Sequence, residues 1–201
     1  MAPRRALPRR ESVRLRGEVY VGGVFFITVC TFRRRPILAT VCQGEMVPTS
    51  LGRLVEEEWS RSPALRPGLT LDAFVLMPNH VHAVVWLPAP QTFVRGNEQR
   101  AHCGAPLLRA PRSLGSFVAQ LKAAVTIRAR QAGWAGGANI WQRGYYEHAI
   151  RDEASLEAVR QYISGNPFRW DCDPENPRGR PGELDLYPFL VTLDSPALSQ
   201  R

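Results

Sequence analysis

Residues 74–87, Phe74-Val75-Leu76-Met77-Pro78-Asn79-His80-Val81-His82-Ala83-Val84-Val85-Trp86-Leu87, leave the backbone few choices. Proline cannot donate a backbone hydrogen bond, and it pushes the residue before it into extended conformation. The stretch therefore reads as two apolar strands joined at a Pro78-Asn79 corner. Side chains alternate faces along a strand, so His80 and His82 share one face while Val81 enters the opposite layer. Two imidazoles side by side can hold a divalent metal through neutral ring nitrogens. A bare His-X-His is more often a pair of exposed strand histidines. The residues that decide between these readings lie downstream.

The rest of the chain supplies the layers around this pair. Residues 19–32 are rich in β-branched and aromatic side chains and read as a first strand. Thr49 and Ser50 cap a helix to about Ser60, with Leu51, Leu54, Val55 and Trp59 as its apolar stripe. Pro63 and Pro67-Gly68 close it. Residues 88–112 are loop-like, and His102 and Cys103 inside them are adjacent residues with nothing to complete a metal set. Ser113 caps a second helix to about Gln131, striped by Leu114, Phe117, Leu121 and Val125. Residues 140–151 form a last strand with its lead-in. Asp152 then caps a third helix to about Ser164, striped by Leu156, Val159 and Ile163, which Gly165-Asn166-Pro167 stops. This order predicts an α+β, ferredoxin-like antiparallel sheet with helices on one face and one further helix appended near the C-terminus.

Within 201 residues the expectation is a flexible basic arm (1–17), one catalytic domain (18–170) and a Pro-rich acidic tail (171–201). The net charge is +8 and the pI about 10, which points to a polyanionic partner. Lys122 is the only lysine among 26 basic residues; the rest are arginines, whose planar guanidinium suits phosphate and stacks on bases. Arg4, Arg5, Arg9 and Arg10 in the arm and Arg33, Arg34 and Arg35 after the first strand are the candidate phosphate contacts, with Lys122 and Arg128 on the second helix. No apolar run approaches the length of a membrane span, and no apolar signal core follows the N-terminal arginines. Cys30, Cys42, Cys103 and Cys172 show no Cys-X-X-Cys spacing and read as reduced thiols of a cytoplasmic protein.

On the third helix Tyr162 and Asn166 are four residues apart and share a face or its C-terminal edge. A helical tyrosine usually packs its ring and exposes its hydroxyl. Combined with the histidine pair, it admits a sharper reading. A metal on His80 and His82 would polarise a phosphodiester oxygen while a tyrosine hydroxyl attacks phosphorus. Phenol holds its proton to pH ~10, so a neighbouring cation would help it ionise. A covalent phosphotyrosine keeps the bond energy for resealing. Asn166 offers an amide oxygen as a third ligand.

Three blocks carry a family resemblance: residues 74–82 above, Trp141-Gln142-Arg143-Gly144-Tyr145-Tyr146-Glu147-His148-Ala149-Ile150-Arg151, and Tyr162-Ile163-Ser164-Gly165-Asn166-Pro167. Together, over about residues 19–170, the chain resembles the REP-associated tyrosine transposases of the HUH superfamily. The resemblance implies a ferredoxin-like catalytic domain, Mg²⁺ or Mn²⁺, no small-molecule cofactor, and cleavage of single-stranded DNA beside palindromic hairpins. It implies His80 and His82 as the metal pair, Asn166 as third ligand and Tyr162 as nucleophile, in a monomer or homodimer. Tyr146 and Arg143, in the middle block, are expected to pack or to touch DNA. A non-catalytic hairpin binder of the same fold is the alternative. An RNA-recognition module is a weaker one, since no aromatic-rich RNP pattern is present.

Overall fold

The computed structural model describes residues 22–42, 45–89, 113–136, 139–173 and 176–179. The arm with Arg4, Arg5, Arg9 and Arg10, the 90–112 stretch with Cys103, and the tail from 180 lie outside the described residues.

Four strands form one antiparallel sheet in the order β4-β5-β1-β6. They are β1 (Gly23–Cys30), β4 (Thr70–Leu76), β5 (His80–Leu87) and β6 (Tyr146–Ile150), and the central strands β1 and β5 pair along their full length. This is the ferredoxin-like order expected from the sequence. Each strand's alternation divides the core in two. Phe25, Ile27, Val29, Val81, Ala83 and Val85 face one way and pack with α1 (Ser50–Leu65) and α2 (Leu114–Gln131). Phe26 and Val84 face the other way and pack with Leu156, Val159, Tyr162 and Ile163 of α3 (Glu153–Gly165). The appended helix therefore covers the sheet face that α1 and α2 leave open. Each large apolar side chain it buries contributes about 1.5–3 kcal/mol.

All three helix caps are those expected: Thr49, Ser113 and Asp152 accept backbone N–H bonds from Gly52, Ser116 and Ser155. Helix α1 runs five residues past the expected end and takes in Pro63. A proline in the last turn costs one i→i−4 bond without blocking the turns before it, so the helix ends two residues later at Leu65, and the N–H of the capping Arg66 bonds the Pro63 carbonyl. A two-stranded ribbon, β2 (Ala39–Cys42) with β3 (Glu45–Pro48), departs from the expected order. It is short and mostly exposed, so no buried face imposes the alternation that marks a strand. Among the described residues no helix is long and apolar enough to cross a membrane. Cys30, Cys42 and Cys172 are free thiols.

One clamp fixes α3 against the sheet edge. Arg160 donates to both carboxylate oxygens of Asp72 on β4 (2.9 and 2.8 Å), and Trp86 Nε1 of β5 donates to the same carboxylate at 3.0 Å. The Arg160 guanidinium and these hydrogen bonds hold the Asp72 carboxyl down to about 2. A depressed carboxylate stabilises the fold above its ordinary pKa of about 3.9 and loses that contribution as pH falls through 2. Asp72→Asn should therefore lower stability at neutral pH by about 1–2 kcal/mol, after allowance for partial solvent screening. Denaturant titrations at pH 7 and near pH 2 check this: the gap between variant and wild type narrows toward zero at the acid end.

Candidate active site

The site forms where β1 ends, β5 begins and α3 closes over both. Cys30 pairs with His80 and Thr28 with His82, so the histidines sit in the middle of the sheet, both fully buried. Buried imidazole nitrogens require partners, and here each ring is held at Nδ1. Asn79 is fully buried and its Nδ2 donates to the Arg34 carbonyl (3.2 Å). Its Oδ1 therefore faces His80 Nδ1 at 2.8 Å and can only accept. That puts a proton on His80 Nδ1, and in the neutral ring it leaves the Nε2 lone pair pointing inward. His82 Nδ1 meets the Thr28 hydroxyl at 2.8 Å, a rotor that serves as donor or acceptor.

The two Nε2 atoms consequently point at each other, 3.0 Å apart. With the His80 ring neutral, either a proton on His82 Nε2 lies between them or a cation accepts both. In the first case Thr28 donates to His82; in the second it accepts. The hydroxyl rotor suits both states.

A carboxylate completes the set. Asp173 is buried, its Oδ2 lies 3.7 Å from His80 Nε2, and ligand atoms of His80, His82 and Asp173 all fall within 4.8 Å of one another. The donor set of two imidazoles and a carboxylate fits a six-coordinate divalent ion with open positions.

Tyr162 reaches the same point from α3. Its hydroxyl is 3.3 Å from His82 Nε2, and its ring stands edge-on to Phe26 (6.1 Å, 83°) and against the His82 ring (5.3 Å). Phe26 in turn stacks on His82 at 5.3 Å. Asn166 is buried just past the helix end, and its Nδ2 donates to the Tyr162 carbonyl at 3.0 Å, tying the last turn that carries the tyrosine. Tyr146 pairs with Thr28 on the far side of β1, and its ring is 6.2 Å from Phe26, so it lines the edge of the cluster.

The expected cationic contacts divide. Arg33 and Arg34 adopt left-handed backbone (φ 55° and 53°), a conformation costing non-glycine residues about 1–2 kcal/mol each. Their turn is held by Asn79 through the Arg34 carbonyl and by Thr31, which donates to the Arg35 carbonyl at 2.8 Å. Strain thus sits beside the histidine pair, and Arg33 is left exposed. Three other cations are held by acceptors of the chain itself. Arg35 donates to the carbonyls of Gly136 and Asn139 (2.6 and 2.7 Å). Lys122 donates to the carbonyls of Gln142 and Gly144. Arg128 pairs with Glu57 and Glu58 of α1, on the layer opposite the site. These partners are distant along the chain and leave no mark on local periodicity. Arg143 is exposed on the lead-in to β6.

The site residue that sequence reasoning missed is Asp173, which reads from the sequence as part of an acidic tail. Its one signal along the chain is the Trp170-Asp171-Cys172 run continuing from Pro167, which folds as a short 3-10 segment (Pro167–Cys172) and turns the chain back on His80.

The four-stranded antiparallel sheet with its helices has the fold of the REP-associated tyrosine transposase. A solved structure of that protein bound to a REP hairpin superposes with a TM-score of 0.52 at 22% identity, covering 78% of this chain and 73% of that one. The chain belongs to the same family as an uncharacterized protein of Haemophilus influenzae, to which it is 33% identical over 174 residues, 82% of this chain and 91% of the relative. No family model matches the chain.

Proposed function

We propose that this protein is a transposase-like single-strand DNA endonuclease and strand transferase that cuts beside hairpins of repetitive extragenic palindromes. The observation that carries the reading is the Tyr162 hydroxyl, 3.3 Å from the His82 nitrogen that meets His80. A nucleophile and a converged donor set within one contact distance are what phosphodiester transfer requires. The REP hairpin bound by the structural neighbour supports the substrate class.

In this reading His80, His82 and Asp173 hold Mg²⁺ or Mn²⁺, in a monomer or homodimer, with no other cofactor. When bound, the cation supplies Lewis-acid polarisation of a phosphate oxygen. The chain's own residues do the rest. Asn79 and Thr28 orient the two imidazoles, as partners behind metal-binding histidines do. Asn166 and the Asp72–Arg160 clamp hold the C-terminal half of α3 on either side of Tyr162, so that the tyrosine stays aimed at the histidines. Tyr162 Oη attacks phosphorus and the bond to the departing 3′ oxygen breaks. The phenol loses its proton and the 3′ oxygen gains one, leaving a 5′-phosphotyrosine and a free 3′ hydroxyl. The reverse step joins a new 3′ end without ATP. Asn166 is reassigned here from third ligand to positioning residue, because Asp173 brings the stronger donor.

Incubating the protein with Mn²⁺ and hairpin oligonucleotides copied from repeats beside its gene should give a protein–DNA adduct that survives denaturation. Binding without adduct, across such hairpins, would leave only the non-catalytic binder.

A further inference from the structure

Phe168 is 86% exposed, while the next most exposed large apolar side chains among the described residues, Leu65 and Ile127, are 54% exposed. It sits in the 3-10 segment that follows Asn166. That segment turns Trp170 inward, its ring 6.2 Å from His80, and ends at the buried Asp173. Turning those two residues in leaves Phe168 and Arg169 outside, at the rim of the cluster. The fold has a reason to bury an aromatic ring and does not: full burial would contribute about 1.5–3 kcal/mol.

The surroundings say what would cover it. Arg33, exposed on the turn after β1, and Arg143, exposed before β6, stand at the same end of the sheet, because Cys30 pairs with His80 and Tyr146 with Thr28. Trp170 beside His80 puts the segment at that same end, and an exposed ring next in sequence to an exposed arginine, on an edge that carries further arginines, is the pattern that binds unpaired nucleotides, bases on the ring and phosphates on the guanidinium groups.

We propose that Phe168 is a stacking platform for one unpaired base of single-stranded DNA next to the Tyr162–His82 site, with Arg169 bonding a neighbouring phosphate. The platform would grip the single strand leaving a hairpin rather than the hairpin stem. This rests on the reading that the site acts on single-stranded DNA.

The test uses the full chain and three fluorescein-labelled probes: a 15-nucleotide oligothymidylate, the same strand with all bases removed, and a duplex of equal length. Phe168→Ala should weaken oligothymidylate binding about tenfold while leaving the abasic strand and the duplex unchanged. Phe168→Trp should retain wild-type affinity, and Phe168→Leu should behave like alanine, since stacking needs the ring and not mere apolar cover. Arg169→Ala should flatten the salt dependence by about 0.7 in log–log slope, and Phe168→Ala should leave it unchanged. Wild-type affinity in Phe168→Ala, full affinity in Phe168→Leu, or an equal loss on the abasic strand would each overturn the platform. Adduct formation by the wild type reads the proposed activity separately. An adduct with no Phe168 effect sinks the platform alone, and a Phe168 effect with no adduct sinks the activity alone.

Discussion

Tyr162→Phe is expected to bind hairpin DNA as the wild type does and to form no covalent adduct, even in excess Mn²⁺. The substitution removes one oxygen and keeps the ring, which packs edge-on against Phe26 and His82 and lies in a cluster with Val159 and Ile163. The hydroxyl's contact with His82 is a long one, 3.3 Å, so its loss should cost stability no more than about 1 kcal/mol. Thermal melting of the variant within a few degrees of wild type, together with complete loss of adduct, separates the chemistry from the fold. Tyr146→Phe is the control. Its ring meets the same cluster from the far side of β1, and adduct formation should persist in it. Peptide mapping of the wild-type adduct should place the nucleotide on the segment containing Tyr162. An adduct on Tyr145 or Tyr146 would move the nucleophile to the sheet.

Whatever repeats along the chain is legible in the amino-acid sequence. The three helices, their caps and the four main strands follow from periods of 3.6 and 2.0, and the sheet order follows from how such elements alternate. His80 and His82 announce their shared face by a spacing of two. Their convergence with Tyr162 needs the fold, because the tyrosine lies 80 residues away and on a different layer. The β2–β3 ribbon escaped because it is short and exposed; the illegible parts of the site depend instead on long-range partners with no local signature. Asp173 reaches the cluster through an irregular 3-10 segment, and no periodicity says where such a segment turns. The partners of Arg35, Lys122 and Arg128 cannot be read from a helical or strand projection. Carbonyls more than 100 residues off in one case, and α1 carboxylates in another, capture these cations. Asn79 sits inside the first motif, yet only its two hydrogen bonds reveal that it holds a proton on Nδ1 of the next residue.

Those two bonds also make the metal pair testable by a readout other than cleavage. A cation that binds the folded chain alone raises its stability, by about 2.7 kcal/mol at a hundredfold excess over its dissociation constant. Mn²⁺ should therefore raise the melting temperature of the wild type, and His80→Ala or His82→Ala should abolish that rise together with adduct formation. Both histidines are fully buried, so either change leaves a hole and costs the fold about 2–4 kcal/mol by itself. The informative quantity is the shift on adding Mn²⁺, not the melting temperature without it. Asn166 and Asp173 divide on the same measurement. Asp173→Ala should weaken the Mn²⁺ shift, since its carboxylate stands 3.7 Å from His80 Nε2. Asn166→Ala should lower the starting stability by releasing the end of α3, and keep the shift, since its amide is bonded to the Tyr162 carbonyl. Loss of the shift in Asn166→Ala with its retention in Asp173→Ala would restore the amide as third ligand. An Mn²⁺ shift that survives in both histidine variants would move the ion away from the sheet altogether.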